Sequence, residues 1–189
     1  MKRDFPSFSL LAKFLRRERG AAAAEVAIWA VVIIVPLLSA ADLAFFTYRR
    51  MQVDLGAQAG VAAVWASCDT AAKLPAVQKC TGIASTISTA VQSTSLGTSV
   101  TVSSGYPIEG YYCAVGGALV AVGTQATTGG TPTPPSPFNC AAAGGSSLTK
   151  PGDYLRVQVA YTFTPTFSAV PVATLLPTAV TRSAWTRLN

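Results

Sequence analysis

Side-chain chemistry in this chain has few groups to draw on: 189 residues carry eight Asp or Glu, four Cys and no His. Without an imidazole, neither a Ser/His nor a Cys/His relay can be built. Past the first 19 residues the acids are Glu25, Asp42, Asp54, Asp69, Glu109 and Asp153, and none lies at a paired spacing from another. The runs Gly116-Gly117 and Gly144-Gly145 lack the Lys-Ser/Thr and the strand–turn–helix setting of a phosphate loop. Cys68, Cys80, Cys113 and Cys140 follow at intervals of 12, 33 and 27, which match no zinc spacing. The sequence therefore predicts no enzyme, no cofactor and no metal site, and directs attention to the one acid set in an apolar stretch, Glu25.

Glu25 is the sole charge between Ala21 and Ala41. As a helix those residues rise about 32 Å, enough for a hydrocarbon core of roughly 30 Å. An acid at that depth is costly and calls for a partner. Lys2, Arg3, Lys13, Arg16, Arg17 and Arg19 precede the stretch, whereas only Arg49 and Arg50 follow closely. The positive-inside bias then predicts a cytoplasmic N-terminus and an external remainder. The same asymmetry disposes of a nucleic-acid reading of the net charge of +6, because the first 19 residues hold +4 of it. The later part has no basic patch with interleaved aromatics.

Basic residues, then Gly20, then Glu25 as the fifth residue after it, then an apolar helix, resemble the processing site of type IV prepilins and pseudopilins. Within that superfamily Arg17-x-x-Gly20-Ala-Ala-Ala-x-Glu25, Pro36, Asp42 and the Ala-rich run from Leu55 to Ala66 resemble TadE-like proteins of the tight-adherence (Flp) pilus system. Val26 stands where that family usually has an aromatic, and Pro36 comes later than its proline. The resemblance covers the first third of the chain. It implies cleavage by a prepilin peptidase between Gly20 and Ala21, and pairing of the new Ala21 amine with Glu25 of the same or a neighbouring subunit. It also implies a place in the bacterial inner membrane, other pilin subunits and the pilus assembly machinery as partners, and the part of a minor pilin or pseudopilin in assembling an adhesive or secretory fibre. The alternative is a secreted binding or adhesive domain, with Val26 to Leu38 as a signal-peptide core and a cut near Ser39-Ala40-Ala41.

All four cysteines follow the apolar stretch, on the side expected to be oxidising, so two disulfides are favoured. Of three possible pairings, sequence order favours Cys68 with Cys80 and Cys113 with Cys140.

The elements that must position these groups follow from periodicity. The leader, residues 1–20, has Phe8, Leu11, Phe14 and Leu15 spaced for a short amphipathic helix. Beyond the span, residues 21–41, the row Leu43, Phe46, Val53, Ala57, Val61 and Val64 predicts that the helix continues to residue 67, with Pro36 as a kink. Gly56 and Gly60 suggest close packing of that helix on a sheet. A second helix is expected from Pro75, with Val77, Ile83, Ile87 and Val91 on its apolar side. Strands are expected over 98–103, 111–122, 154–163 and 178–187, with a long exposed Pro/Gly-rich loop over 125–152 and a short helix near 169–176. The expectation is an α+β fold: a long transmembrane-plus-periplasmic helix packed on a small antiparallel sheet, with residues 42–189 as one extracytoplasmic domain.

Overall fold

The computed structural model describes residues 18–68, 70–169 and 171–188. The amphipathic leader helix expected from Phe8 lies outside the described residues. The fold is α+β, a long apolar N-terminal helix with a small antiparallel five-stranded sheet. The described residues fall in two compact units, one of residues up to 45 with the segment 165–176, the other of residues 46–164 with those from 177 on.

Helix α1 runs Glu18–Ser67, 50 residues with Pro36 inside. It begins before Ala21, so the expected boundary between leader and span falls within the helix. Ala21 to Ala24 are the best helix formers, and their preference outweighs the single Gly20 at that boundary. Pro36 takes one N–H from the ladder, and Ser39 Oγ donates to the Val35 carbonyl at 2.8 Å beside it. In the first unit Val26, Ile28, Val32 and Leu37 of α1 are all exposed.

In the second unit the outer part of α1 buries Val53, Ala57, Val61 and Val64. The expected second helix is two helices, α2 (Ala76–Lys79) and α3 (Ile83–Val91). Cys80 is extended and Gly82 takes a positive φ of 75°, a conformation that ends one helix and starts the next. Buried Ile83, Ile87 and Val91 give α3 its inner face. A β-carbon on Gly60 would lie 3.1 Å from Val91 and 3.3 Å from Val157, so this glycine lets α1 approach α3 and the sheet together. The atoms nearest a β-carbon on Gly56 belong to Val91 and Thr94, at the end of α3.

The strands are β1 (Val100–Val102), β2 (Ile108–Val115), β3 (Ala118–Thr127), β4 (Gly152–Thr162) and β5 (Ala179–Arg187). β4 is central: β5 pairs along it from Tyr154↔Arg187 to Thr162↔Ala179, while β1 and β2 pair with its two ends. Leu155, Val157 and Val159 are fully buried and alternate with half-buried Tyr154, Arg156 and Gln158, the period-two signature of a sheet with one covered face.

Four further expectations need correcting. Residues 111–122 are not one strand: Gly116 and Gly117, with φ of 59° and 81°, turn the run into a β2–β3 hairpin. The Pro/Gly-rich loop is shorter than 125–152, because β3 continues to Thr127 across a bulge opposite Glu109 and Tyr111. It also holds a ladder contact, Thr124 N–H to Thr133 O at 2.9 Å and Thr133 N–H to Thr124 O at 3.0 Å. Gly123 makes that close return possible, since a β-carbon there would collide with the Thr133 carbonyl. The first strand is three residues long because Gly97–Ser99 form a 3₁₀ turn. The short helix near 169–176 is likewise a 3₁₀ turn, Pro171–Thr174.

Candidate functional site

The residues singled out by the sequence fall in three places. Gly20 and Glu25 are exposed near the start of α1, and Ala21 lies between them in the same helix, one turn from Glu25. By length and composition α1 is able to cross a membrane, with mean hydropathy 2.3 over its most apolar 18 residues. The apolar side chains around it point outward on all sides rather than on one stripe: Val26 is 68% exposed, Val31 62%, Ile33 55% and Leu37 63%. A helix apolar all round takes its solvent from lipid or from other helices.

The cysteines form two bridges in the second unit. Cys68 at the end of α1 joins Cys80 at the end of α2, with Cα atoms 5.9 Å apart. Cys113 on β2 joins Cys140, with Cα atoms 5.7 Å apart. The second bridge sits in a small core with Val122, against which Tyr111, Val115 and Ala143 pack. It anchors the far end of the Pro-rich loop, which Phe138 also holds by an edge-on contact with Tyr111 at 5.8 Å. Gly129 N–H donates to the Val77 carbonyl at 2.8 Å and ties the near end to α2. The loop is thus displayed from a fixed base, with Leu148 near its end 93% exposed.

Two acid sites were invisible to spacing along the chain. Asp42, in the first unit, is fully buried although it directly follows the apolar stretch. Its Oδ1 accepts the Thr166 N–H at 2.9 Å, and the Phe167 N–H lies 3.3 Å from Oδ1 and 3.2 Å from Oδ2. Backbone N–H groups thus satisfy the acceptor capacity of this buried carboxyl. The donors lie 124 and 125 residues away, a separation at which no local pattern can signal the contact.

Glu109 and Asp153, in the second unit, make the other site. The β2–β4 register sets Glu109 opposite Leu155 and Tyr111 opposite Asp153, so the two acids are diagonal neighbours on one face. Glu109 is fully buried and accepts the Ala76 N–H at 2.9 Å and the Val77 N–H at 2.6 Å, capping the first turn of α2. Burial first, then the charge of Glu109 and a hydrogen bond to it, push the Asp153 carboxyl up from 3.8 to about 7. The buried Asp153 Oδ1 has no hydrogen-bond partner. Burial, and then Asp153 and Glu109, also raise the Tyr111 phenol above its ordinary value. The sequence signal was available in part: Glu109 is a lone acid in the otherwise uncharged strand β2.

The uncovered sheet face carries Arg156, stacked 5.1 Å from the Trp185 ring and 5.5 Å from the Tyr106 ring. Tyr112 meets Trp185 edge-on at 4.9 Å. On the other side of the unit Arg50 and Arg182 line a shallow cleft of about 260 Å³ with Phe46 and Val180. Among the described residues no three His, Cys, Asp or Glu side chains cluster as metal ligands. No known family, curated protein or solved structure matches the chain, so function has to be read from this geometry and from the sequence.

Proposed function

We propose that the protein is a membrane-anchored minor pilin or pseudopilin of a TadE-like kind, which helps assemble an adhesive, tight-adherence pilus or a related secretion fibre. The observation that carries this reading is α1 itself. A single helix begins with exposed apolar side chains and continues without interruption into a stretch whose apolar side chains are buried. Such an element can anchor a domain in a bilayer and afterwards pack among like helices. The two disulfides suit an oxidising compartment, and on this reading the second unit is periplasmic, the basic leader cytoplasmic and the helix seated in the inner membrane. The partners on this reading are a prepilin peptidase and other pilin subunits.

Cleavage after Gly20 would act on a bond within the described part of α1. Gly20 offers a peptidase an unobstructed backbone, and the Ala21 amine released one turn from Glu25 can neutralise that acid in lipid. N-terminal sequencing of the membrane-extracted protein tests the reading. A start at Ala21 is expected. A start near Asp42 would mean a secreted domain released from its signal peptide, and a start at Met1 would mean a plain anchor.

A further inference from the structure

We propose that residues 165–176 form a membrane-interface loop, seated in the headgroup and upper acyl region of the bilayer at the Asp42 end of the span. The proposal rests on the reading of α1 as a membrane helix, and adds a second point of lipid contact from a distant part of the chain.

The loop belongs to the same compact unit as the apolar part of α1. Asp42 follows the apolar stretch directly, and its carboxylate holds the Thr166 and Phe167 N–H groups. The loop backbone is therefore within one hydrogen bond of the end of the span. In a helix stretch that is otherwise exposed, Leu38, Ser39, Ala41 and Asp42 lose exposure, whereas Leu37 and Leu43 remain 63% and 51% exposed. The covered residues form the last turn of the apolar stretch. The loop thus stands beside that turn, at the depth where a bilayer would pass from acyl chains to headgroups.

Its composition fits that depth. No Asp, Glu, Lys or Arg occurs between Arg156 and Arg182. Leu175 is 80% exposed, with half-buried Val172 and Leu176 close by in sequence, and Phe167 is half-buried next to the Asp42 clamp. Non-helical backbone near hydrocarbon is costly through its unmet N–H groups. Here Pro165, Pro171 and Pro177 have none, Asp42 accepts two, and Leu175 donates to Val172 at 3.0 Å. A polar loop tethered at this point would need no such arrangement. The continuity of the loop with an apolar helix surface selects lipid as its partner.

The test uses the full chain in vesicles of phosphatidylethanolamine and phosphatidylglycerol. The native cysteines are all in disulfides, so a nitroxide can be placed singly through L175C, L37C or L148C with the bridges intact. Collision with oxygen reports lipid, and collision with a water-soluble nickel chelate reports solvent. The expected result is an oxygen-to-nickel ratio at position 175 several-fold above that at 148 and at or below that at 37. A lipid-facing label at 37 beside a solvent-exposed one at 175 overturns the loop proposal alone. A solvent-exposed label at 37 overturns the span reading and the loop proposal together.

Discussion

Two stretches of one helix, one wholly apolar and the other apolar along one side, have opposite surroundings. From Val26 to Leu37 the side chains of α1 are exposed on every side, whereas Val53, Ala57 and Val64 of the same helix are fully buried. The difference lies in arrangement. The outer stretch intersperses Arg49, Arg50, Asp54 and Gln58, which leaves one apolar stripe, and α3 and β4 cover that stripe across the glycine at position 60. The inner stretch has no polar side to turn to water. Apolarity alone does not predict burial within the chain; a one-sided stripe implies an internal partner, and an apolar surface all round implies an external one.

The sharpest way to break that comparison is to place one charge in each stretch. Val64→Asp puts an unpaired carboxylate into a fully buried site and is expected to destabilise the second unit by about 4 kcal/mol or more, enough to unfold many domains. Val32→Asp should leave the thermal transition of that unit within about 0.5 kcal/mol of wild type, since its side chain is exposed. It should instead reduce the fraction of protein that partitions into membranes. Thermal melts followed by circular dichroism in mild detergent, with membrane flotation alongside, read both effects. A melt lowered equally by both substitutions would mean that the inner stretch is covered by the chain itself.

The disulfides come next in size and lie wholly on the buried side of the comparison. Replacing Cys113 and Cys140 by Ser opens a link across 27 residues and is expected to cost about 3 kcal/mol. The corresponding change at Cys68 and Cys80, 12 residues apart, should cost somewhat less by the same loop-entropy argument. Denaturant titrations of the two double variants give the order. Proteolysis within residues 128–139 should accelerate chiefly in the first, because Cys140 anchors that loop.

The two buried acid sites divide the same way, one with its charge met and one without. Asp153 binds its proton more tightly folded than unfolded, so between about 4 and about 7 the folded state holds a proton that the unfolded chain has lost. Its contribution is therefore complete below pH 4, falls as the pH rises to about 7, and is constant above that. A loss of about 1–3 kcal/mol across the window is expected, below the full linkage value because Asp153 retains some solvent access. Asp153→Asn, which cannot ionise, should flatten the slope and be more stable than wild type at pH 8. Urea titrations at four pH values are sufficient to see it. An unchanged slope in the variant would assign the pH dependence to another group.

What the sequence disclosed and what it hid follow from the range of the interactions. The helix, its continuation past residue 42 and the central strand were legible because a periodicity repeats within one element, and the bridges because four cysteines in order allow only three pairings. The β2–β3 hairpin was hidden by its own apolarity: Gly116-Gly117 interrupts a run that otherwise reads as one strand. The break between α2 and α3 depended on the backbone conformation of Gly82. The Glu109–Asp153 pair required the register of β2 on β4, which tertiary packing sets. The Asp42 clamp required knowing which distant loop returns to the helix.

That clamp gives the smallest effect and the most local one. Asp42 differs from Asp153 in that its charge is matched by N–H groups, so removing the charge while keeping an acceptor should cost little. In Asp42→Asn one amide oxygen can still accept from Thr166 or Phe167, but the amide NH₂ would face the other donor. The expected loss is about 1 kcal/mol, the worth of one charge-assisted bond reduced to a neutral one, confined to the first unit. Global melts would barely register it, because the loop opens without unfolding the sheet. Amide hydrogen exchange at Thr166 and Phe167 should speed by about fivefold to tenfold, while exchange at Val157 and Val159 in β4 stays as in wild type. If the β4 amides accelerate together with those of the loop, the clamp stabilises the sheet as well and its effect is not confined to the first unit.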